Sequence, residues 1–88
     1  HIHITIHGGV QGVSFSSFAI RHACALGLTG FVRNTSDSAV EIVAEGAGEK
    51  LKELVRLCEK GPRYAAVTRV DVSWSAATGE YASFDVRR

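Results

Sequence analysis

The 88 residues are 45% hydrophobic and 22% charged, which allows one domain with one core and excludes both a disordered chain and a pair of domains. Ten basic residues against nine acidic leave a formal net charge of +1, so no field over the whole molecule draws it to nucleic acid or an acidic membrane. No run approaches the roughly 18 apolar residues of a membrane span and no cationic-then-apolar leader opens the chain, so the expectation is one cytoplasmic, monomeric domain over residues 1–88.

Ile2, Ile4 and Ile6 alternate with His3, Thr5 and His7, the pattern of a half-buried strand. Gly8, Gly9 and Gly12 break it, and a helical pattern starts at once. Phe15, Phe18, Ala19, His22, Ala23 and Leu26 recur at helical spacing until Gly27, which predicts a helix over roughly 15–26. Glycine lets the chain turn with positive φ and lets a ligand approach the main chain. The first N–H groups of the helix lack intrahelical partners and sit at its positive end, so phosphate or carboxylate is a natural guest. The same pattern also serves packing alone, and spacing does not choose between the two.

Residues 28–33, the turn Asn34-Thr35-Ser36-Asp37-Ser38 and the alternating stretch 40–45 read as a hairpin. Leu51, Leu54, Val55 and Cys58 mark one stripe of a second helix over 49–60, closed by Gly61-Pro62. Val70, Val72 and Trp74 share a parity, Thr78-Gly79 marks a turn, and Ala82, Phe84 and Val86 form a last alternating run. The order βαββαβ, with a final short strand, predicts an α+β, ferredoxin-like sandwich. In it an antiparallel sheet carries two helices on one face, the isoleucines lie beneath the helices, and the opposite face is wet.

The segments Gly8-x-Val10-Gln11-Gly12-Val13-x-Phe15 and Ala23-x-x-Leu26-Gly27-Leu28-x-Gly30-Phe31-Val32-x-Asn34-x-x-Asp37 are followed by Val40-Glu41 and Gly61-Pro62-x-x-Ala65-x-Val67. In this order and spacing, over nearly the whole chain, they resemble the acylphosphatase family. The resemblance implies hydrolysis of the carboxyl–phosphate bond of small acyl phosphates, with neither metal nor organic cofactor and with inorganic phosphate as a ligand. It further implies that the backbone amides of the loop, those of Gln11, Gly12, Val13, Ser14 and Phe15, hold the phosphate, that an arginine at the loop's end grips it, and that Asn34 orients the attacking water. The chemistry is coherent: helix-start amides suit phosphoryl oxygens, a guanidinium adds two parallel charged donors, and an amide directs water without taking its proton.

Ser16 stands where the resemblance places that arginine. A hydroxyl gives one neutral hydrogen bond in place of a bidentate, charge-assisted pair, and arginines that stabilise phosphoryl-transfer charge are worth about 10³ to 10⁵ in rate. Strongly impaired hydrolysis is therefore expected. The alternative is a non-enzymatic or engineered-inactive relative that serves as a phosphate-binding module or a folding scaffold. Arg21 lies about 140° around the helix from Ser16 and about 7.5 Å along it, pointing away from the loop. Arg33 precedes Asn34 on a strand and faces the other side. Arg87 and Arg88 remain as substitutes, although terminal arginines are usually solvated. Ser38 follows Asp37 where the family's turn often has glycine, a strained position if φ is positive there.

The remaining polar residues have ordinary explanations. His1, His3 and His7 share a strand face that would suit a metal, but no cysteine or carboxylate cluster in the sequence completes a site. His22 fits a hydrogen-bonded boundary position better than a general base. Ser14, Ser16 and Ser17 have no neighbouring base to make a nucleophile, and Ser14 is expected to cap the helix through its hydroxyl. Asp37 and Glu41 read as a turn residue and a solvated strand residue, not as an acid–base pair. Trp74, Tyr81 and Phe84 suggest base stacking, but Val40-Glu41-Ile42-Val43-Ala44-Glu45 is acidic and aliphatic where an RNA-binding sheet is basic and aromatic, so no nucleic-acid partner is expected. Cys24 and Cys58 are expected at core or boundary positions as thiols.

Overall fold

The alternation at the start of the chain produces strand β1, Ile2–Gly9, with Ile2, Ile4 and Ile6 fully buried and His3, Thr5 and His7 half-exposed. The structure, a computed structural model, describes residues 1–12 and 14–87. Helix α1 follows at Phe15–Ala25, then strands β2 (Thr29–Asn34) and β3 (Val40–Glu45), helix α2 (Gly48–Lys60), strand β4 (Ala66–Trp74) and the short strand β5 (Phe84–Val86). The sheet order is β4-β1-β3-β2-β5. Ile2, Ile4 and Ile6 lie opposite Ala44, Ile42 and Val40 of β3, so both strands turn the same apolar face to the helices.

Against that face α1 buries Phe15, Ala19 and Ala23, and α2 buries Leu51, Leu54 and Cys58. Each fully buried isoleucine or leucine contributes about 1.5–3 kcal/mol of transfer free energy, and cutting Ile4 to alanine would cost about 2–5 kcal/mol once the cavity is included. The end of α1 is closed by a Schellman pair: Gly27 N–H donates to the Cys24 carbonyl (3.1 Å) and Leu28 N–H to that of Ala23 (2.9 Å), with Gly27 at φ 72°. Leu28 is thereby delivered to the core.

Two expectations need correction here. The four long strands pair antiparallel, but β5 runs parallel to β2 through Gly30↔Phe84 and Val32↔Val86, so the sheet is mixed at this edge. The reason is topological. β4 ends beside Ile2, at the end of the sheet where β1 and β2 begin, and residues 75–83 cross to the β2 edge, so β5 has to start from that same end. Nor is the second face uniformly wet. Phe31, Val43 and Glu45 are buried on it, with the ring of Tyr81 lying 6.0 Å from that of Phe31. Glu45 accepts hydrogen bonds from Thr78 N–H (2.8 Å), Thr78 Oγ1 (2.9 Å), Gly79 N–H (2.9 Å) and His1 Nδ1 (2.6 Å).

The rest of that face is polar and paired. Glu41 is bonded to His3 and Arg33 rather than simply solvated, and His7 and Arg69 share Asp71. Among the described residues no group of three or more histidine, cysteine or acidic side chains gathers as a metal site, and His1, His3 and His7 each face a different carboxylate. Cys24 is exposed rather than part of the core, whereas Cys58 is buried, and both are free thiols. His22 is edge-on to Phe18, with centroids 4.5 Å apart.

Candidate functional site

Strands β1, β2 and β5 run in one direction, so the segments beyond their C-terminal ends meet at one edge of the domain. The loop after β1 begins with a bulge at Gly8, where φ is 124° and a Cβ would run into the carbonyl of Ala66. Val10 is buried and anchors the loop to the core. Gly12 turns with φ 74° and Ser14 enters the helix in the left-handed region, φ 62° and ψ 27°.

Ser14 therefore does not cap the helix as expected. Its side chain makes no cap hydrogen bond, because a capping residue needs an extended backbone to bring its hydroxyl over the first turn. Its carbonyl instead accepts the N–H of Phe18 at 3.0 Å. Among the described residues, none accepts a hydrogen bond from the N–H groups of Gln11, Gly12, Phe15 or Ser16. Val13 lies outside the described residues, as does Arg88.

The side chain of Gln11 is engaged as well. Its carboxamide donates to the carbonyls of Thr35 (2.9 Å) and Ala39 (2.8 Å), clipping the loop to the β2–β3 turn. That turn is braced internally: Thr35 N–H donates to the Ala39 carbonyl at 2.9 Å and Ala39 N–H to Thr35 Oγ1 at 3.0 Å. The Thr35 hydroxyl bonds Asp37 and, with the backbone, holds that carboxyl below its ordinary value. Asp37 thus belongs to the turn. Ser38 sits at φ 69°, so the strained conformation anticipated there is present.

Asn34 closes β2 and is exposed. With half-buried Ser16, Val86 and Arg87 it lines a cleft of about 410 Å³. Of the residues expected to act together, Ser16 and Asn34 share this cleft, with the Gln11 clip tying the loop to the turn beside Asn34. Arg21 does not reach it; it lines a separate notch of about 260 Å³ with Ser14, Ser17, Phe18 and Pro62. Arg33 is turned to the opposite face, on Glu41.

Arg87 is the cleft residue that spacing alone left open. Its N–H donates to the Val32 carbonyl at 2.8 Å, extending the β2–β5 pairing by one residue, and its guanidinium carbon lies 3.8 Å from the centroid of the Phe31 ring. Two other roles were hidden from sequence reasoning: the Gln11 side chain, for which the only signal was an amide among glycines, and Glu45, whose place in a strand-end acidic pattern resembles a solvated one.

A family model described as acylphosphatase matches residues 2–86. The chain belongs to the acylphosphatase family. It is 47% identical over 87 residues to an acylphosphatase of Methylococcus capsulatus, covering 99% of this chain and 95% of that one. It is 48% identical over 85 residues to an acylphosphatase of an Anaeromyxobacter strain, covering 97% and 91%. Among solved structures, the acylphosphatase of Bacillus subtilis superposes with a TM-score of 0.95 at 32% identity, covering 99% of this chain and 97% of the other. The acylphosphatase of Coxiella burnetii gives 0.91 at 38%, covering 98% and 90%. These acylphosphatase neighbours support the ferredoxin-like α+β fold.

Proposed function

We propose that this acylphosphatase-family protein takes the phosphoryl end of a small acyl phosphate into the cleft between the loop after β1 and the end of β2, and hydrolyses the carboxyl–phosphate bond slowly. The observation that carries the reading is that Ser16, at the helix start, and Asn34, at the strand end, line one cleft. The N–H groups of the loop and of the first turn of α1 receive the phosphoryl oxygens. The carboxamide of Asn34 holds a water in line with phosphorus. The water oxygen bonds to phosphorus as the phosphorus–oxygen bond to the acyl group breaks, the carboxylate leaves with that electron pair, and the water's proton passes to solvent. A carboxylate is a stable leaving group near neutral pH, so no acid catalyst is required.

Ser16 limits this chemistry. The charge spread over the three equatorial oxygens meets one neutral hydroxyl where a guanidinium would supply two charged donors. That substitution also favours a second reading, a phosphate-binding module or folding scaffold without turnover. In either reading we take the protein as a cytoplasmic monomer, and its net charge of +1 gives no general attraction to nucleic acid or an acidic membrane.

Turnover of benzoyl phosphate with inorganic phosphate as inhibitor tests the reading. Slow hydrolysis inhibited by phosphate is expected, and Ser16→Arg is expected to raise kcat/KM by about 10³ or more. A folded Ser16→Arg protein that is no faster overturns the role assigned to position 16. Phosphate binding without any hydrolysis selects the binding module.

A further inference from the structure

We propose that Arg87 is the cationic ligand for the phosphoryl group in this protein, resting on the Phe31 ring when the cleft is empty and swinging over the sheet edge to meet the anion. The inference builds on the reading above, in that it presumes a phosphoryl group beside Ser16 and Asn34. Arg87 lines that cleft and also an adjoining groove of about 340 Å³, formed with Phe31, Tyr81 and Asp85 among others, so this one residue borders both spaces. Its main chain is fixed by the bond to the Val32 carbonyl, and the guanidinium on its long stem is the part left to move.

The groups around it do not compete for that charge. Among the described residues, the carboxylates in ion pairs with arginine are Glu41, Glu53 and Asp71, held by Arg33, Arg56 and Arg69, and none pairs with Arg87. Asp85 accepts instead from the Ser83 hydroxyl at 2.6 Å. The guanidinium carbon sits over the Phe31 ring, no acceptor among the described residues meets its N–H donors, and a cation over an aromatic ring in contact with water is held weakly. A phosphoryl dianion offers those donors two oxygens in the bidentate geometry that arginine favours, a stronger pairing than the ring. Among the described residues lining the cleft, Arg87 is the cation. Ser16 leaves room that a helix arginine would otherwise fill, so the guanidinium enters from the strand side.

The test is titration of the intact protein with inorganic phosphate, followed by amide chemical shifts of the loop after β1, alongside benzoyl phosphate kinetics. Arg87→Gln keeps the stem and removes the charge; it should raise the phosphate Kd at least tenfold and lower kcat/KM by a similar factor or more. Arg87→Lys should recover part of the affinity and little of the rate, since one ammonium cannot make the paired bonds. Phe31→Leu removes the resting place and should tighten phosphate binding about two- to fivefold. Wild type that binds phosphate, with Arg87→Gln binding equally well, overturns the role of Arg87 and leaves the functional reading standing. Loss of affinity on Arg88→Gln but not on Arg87→Gln also overturns it. If wild type shows neither phosphate-dependent shifts nor turnover, the functional reading fails and takes this inference with it.

Discussion

The side-chain amide of Gln11 donates to the carbonyl of Thr35 at 2.9 Å and so fastens the loop after β1 to the residue that follows Asn34. A second bond from the same nitrogen reaches the Ala39 carbonyl at 2.8 Å, and the two together close the turn against the loop. Each such bond contributes about 0.5–1.5 kcal/mol net. Gln11→Ala should therefore lower stability by about 1–2 kcal/mol, read from urea unfolding. It should also lower kcat/KM about tenfold or more, because small displacements of positioning groups are costly in rate. Gln11→Glu should be worse on both counts, since a carboxylate has no proton to give two carbonyl oxygens. A Gln11→Ala protein with wild-type stability and rate would show that the clip has no part in holding the site.

Glu45 ties down the chain between β4 and β5. Its carboxylate gathers the N–H groups of Thr78 and Gly79 and the hydroxyl of Thr78, fixing the segment that leads into β5 and Arg87. These bonds, that from Thr78 N–H first, hold its carboxyl below the ordinary 4.5. His3 does the same chiefly for Glu41, and Arg69 for Asp71. A carboxyl lowered in the folded state binds fewer protons there than in the unfolded chain, so its contribution is present above the ordinary value and is lost as the pH falls through the folded one. The urea midpoint should drop as the pH is taken from about 5 to 3. Glu45→Gln should start from a lower midpoint at neutral pH and fall less steeply. Equal midpoints for the two proteins at neutral pH would remove Glu45 from this account.

Ser38 holds φ 69° in the turn between β2 and β3, a conformation that costs a residue with a Cβ about 1–2 kcal/mol and glycine almost nothing. Part of that gain is offset by the greater freedom of glycine in the unfolded chain. Ser38→Gly should still stabilise by about 0.5–1 kcal/mol, a rise of a few degrees in Tm for a domain of this size. The rate should not change, because the Ser38 side chain lines no part of the cleft. An unchanged or lower Tm would mean that its strain is compensated within the turn.

Much of this architecture is local in origin and was legible for that reason. The alternation of Ile2, Ile4 and Ile6, the helical stripe from Phe15 to Ala23 and the Gly27 stop each follow from neighbours in the chain. The hairpin between β2 and β3 was legible in its Asn-Thr-Ser-Asp-Ser turn. What escaped depends on partners far away in sequence. Glu45 looks like any strand-end acid until Thr78 and Gly79 fold back onto it, 33 and 34 residues on. The final strand was legible in Ala82, Phe84 and Val86, but its parallel direction comes from where β4 ends, not from its own side chains. At the site, the glycine-rich turn was readable from the residues and Asn34 only through the family resemblance, whereas the arrival of Arg87 at the same cleft depends on that direction. The failed cap at Ser14 has a similar cause, for the residue type suited a cap and the backbone did not.

Asn34 provides the sharpest separation of binding from chemistry. It ends β2 paired with Val40, and its side chain reaches the cleft from an exposed position, so shortening it leaves the core untouched. If its carboxamide orients the attacking water, Asn34→Ala should lower kcat by about 10²-fold or more, in line with the loss of one preorganised polar group from a reacting centre. Inhibition by inorganic phosphate should hardly change if, as proposed, the loop amides rather than Asn34 bind the anion in the ground state. Asn34→Asp should behave differently: a carboxylate repels the incoming dianion, so the inhibition constant rises as well as kcat falling. The two variants thus split kcat from affinity, measured as benzoyl phosphate turnover with and without added phosphate. An Asn34→Ala protein that keeps the wild-type kcat would assign the residual rate to unassisted water, and one that loses phosphate inhibition would make Asn34 a ligand of the anion instead.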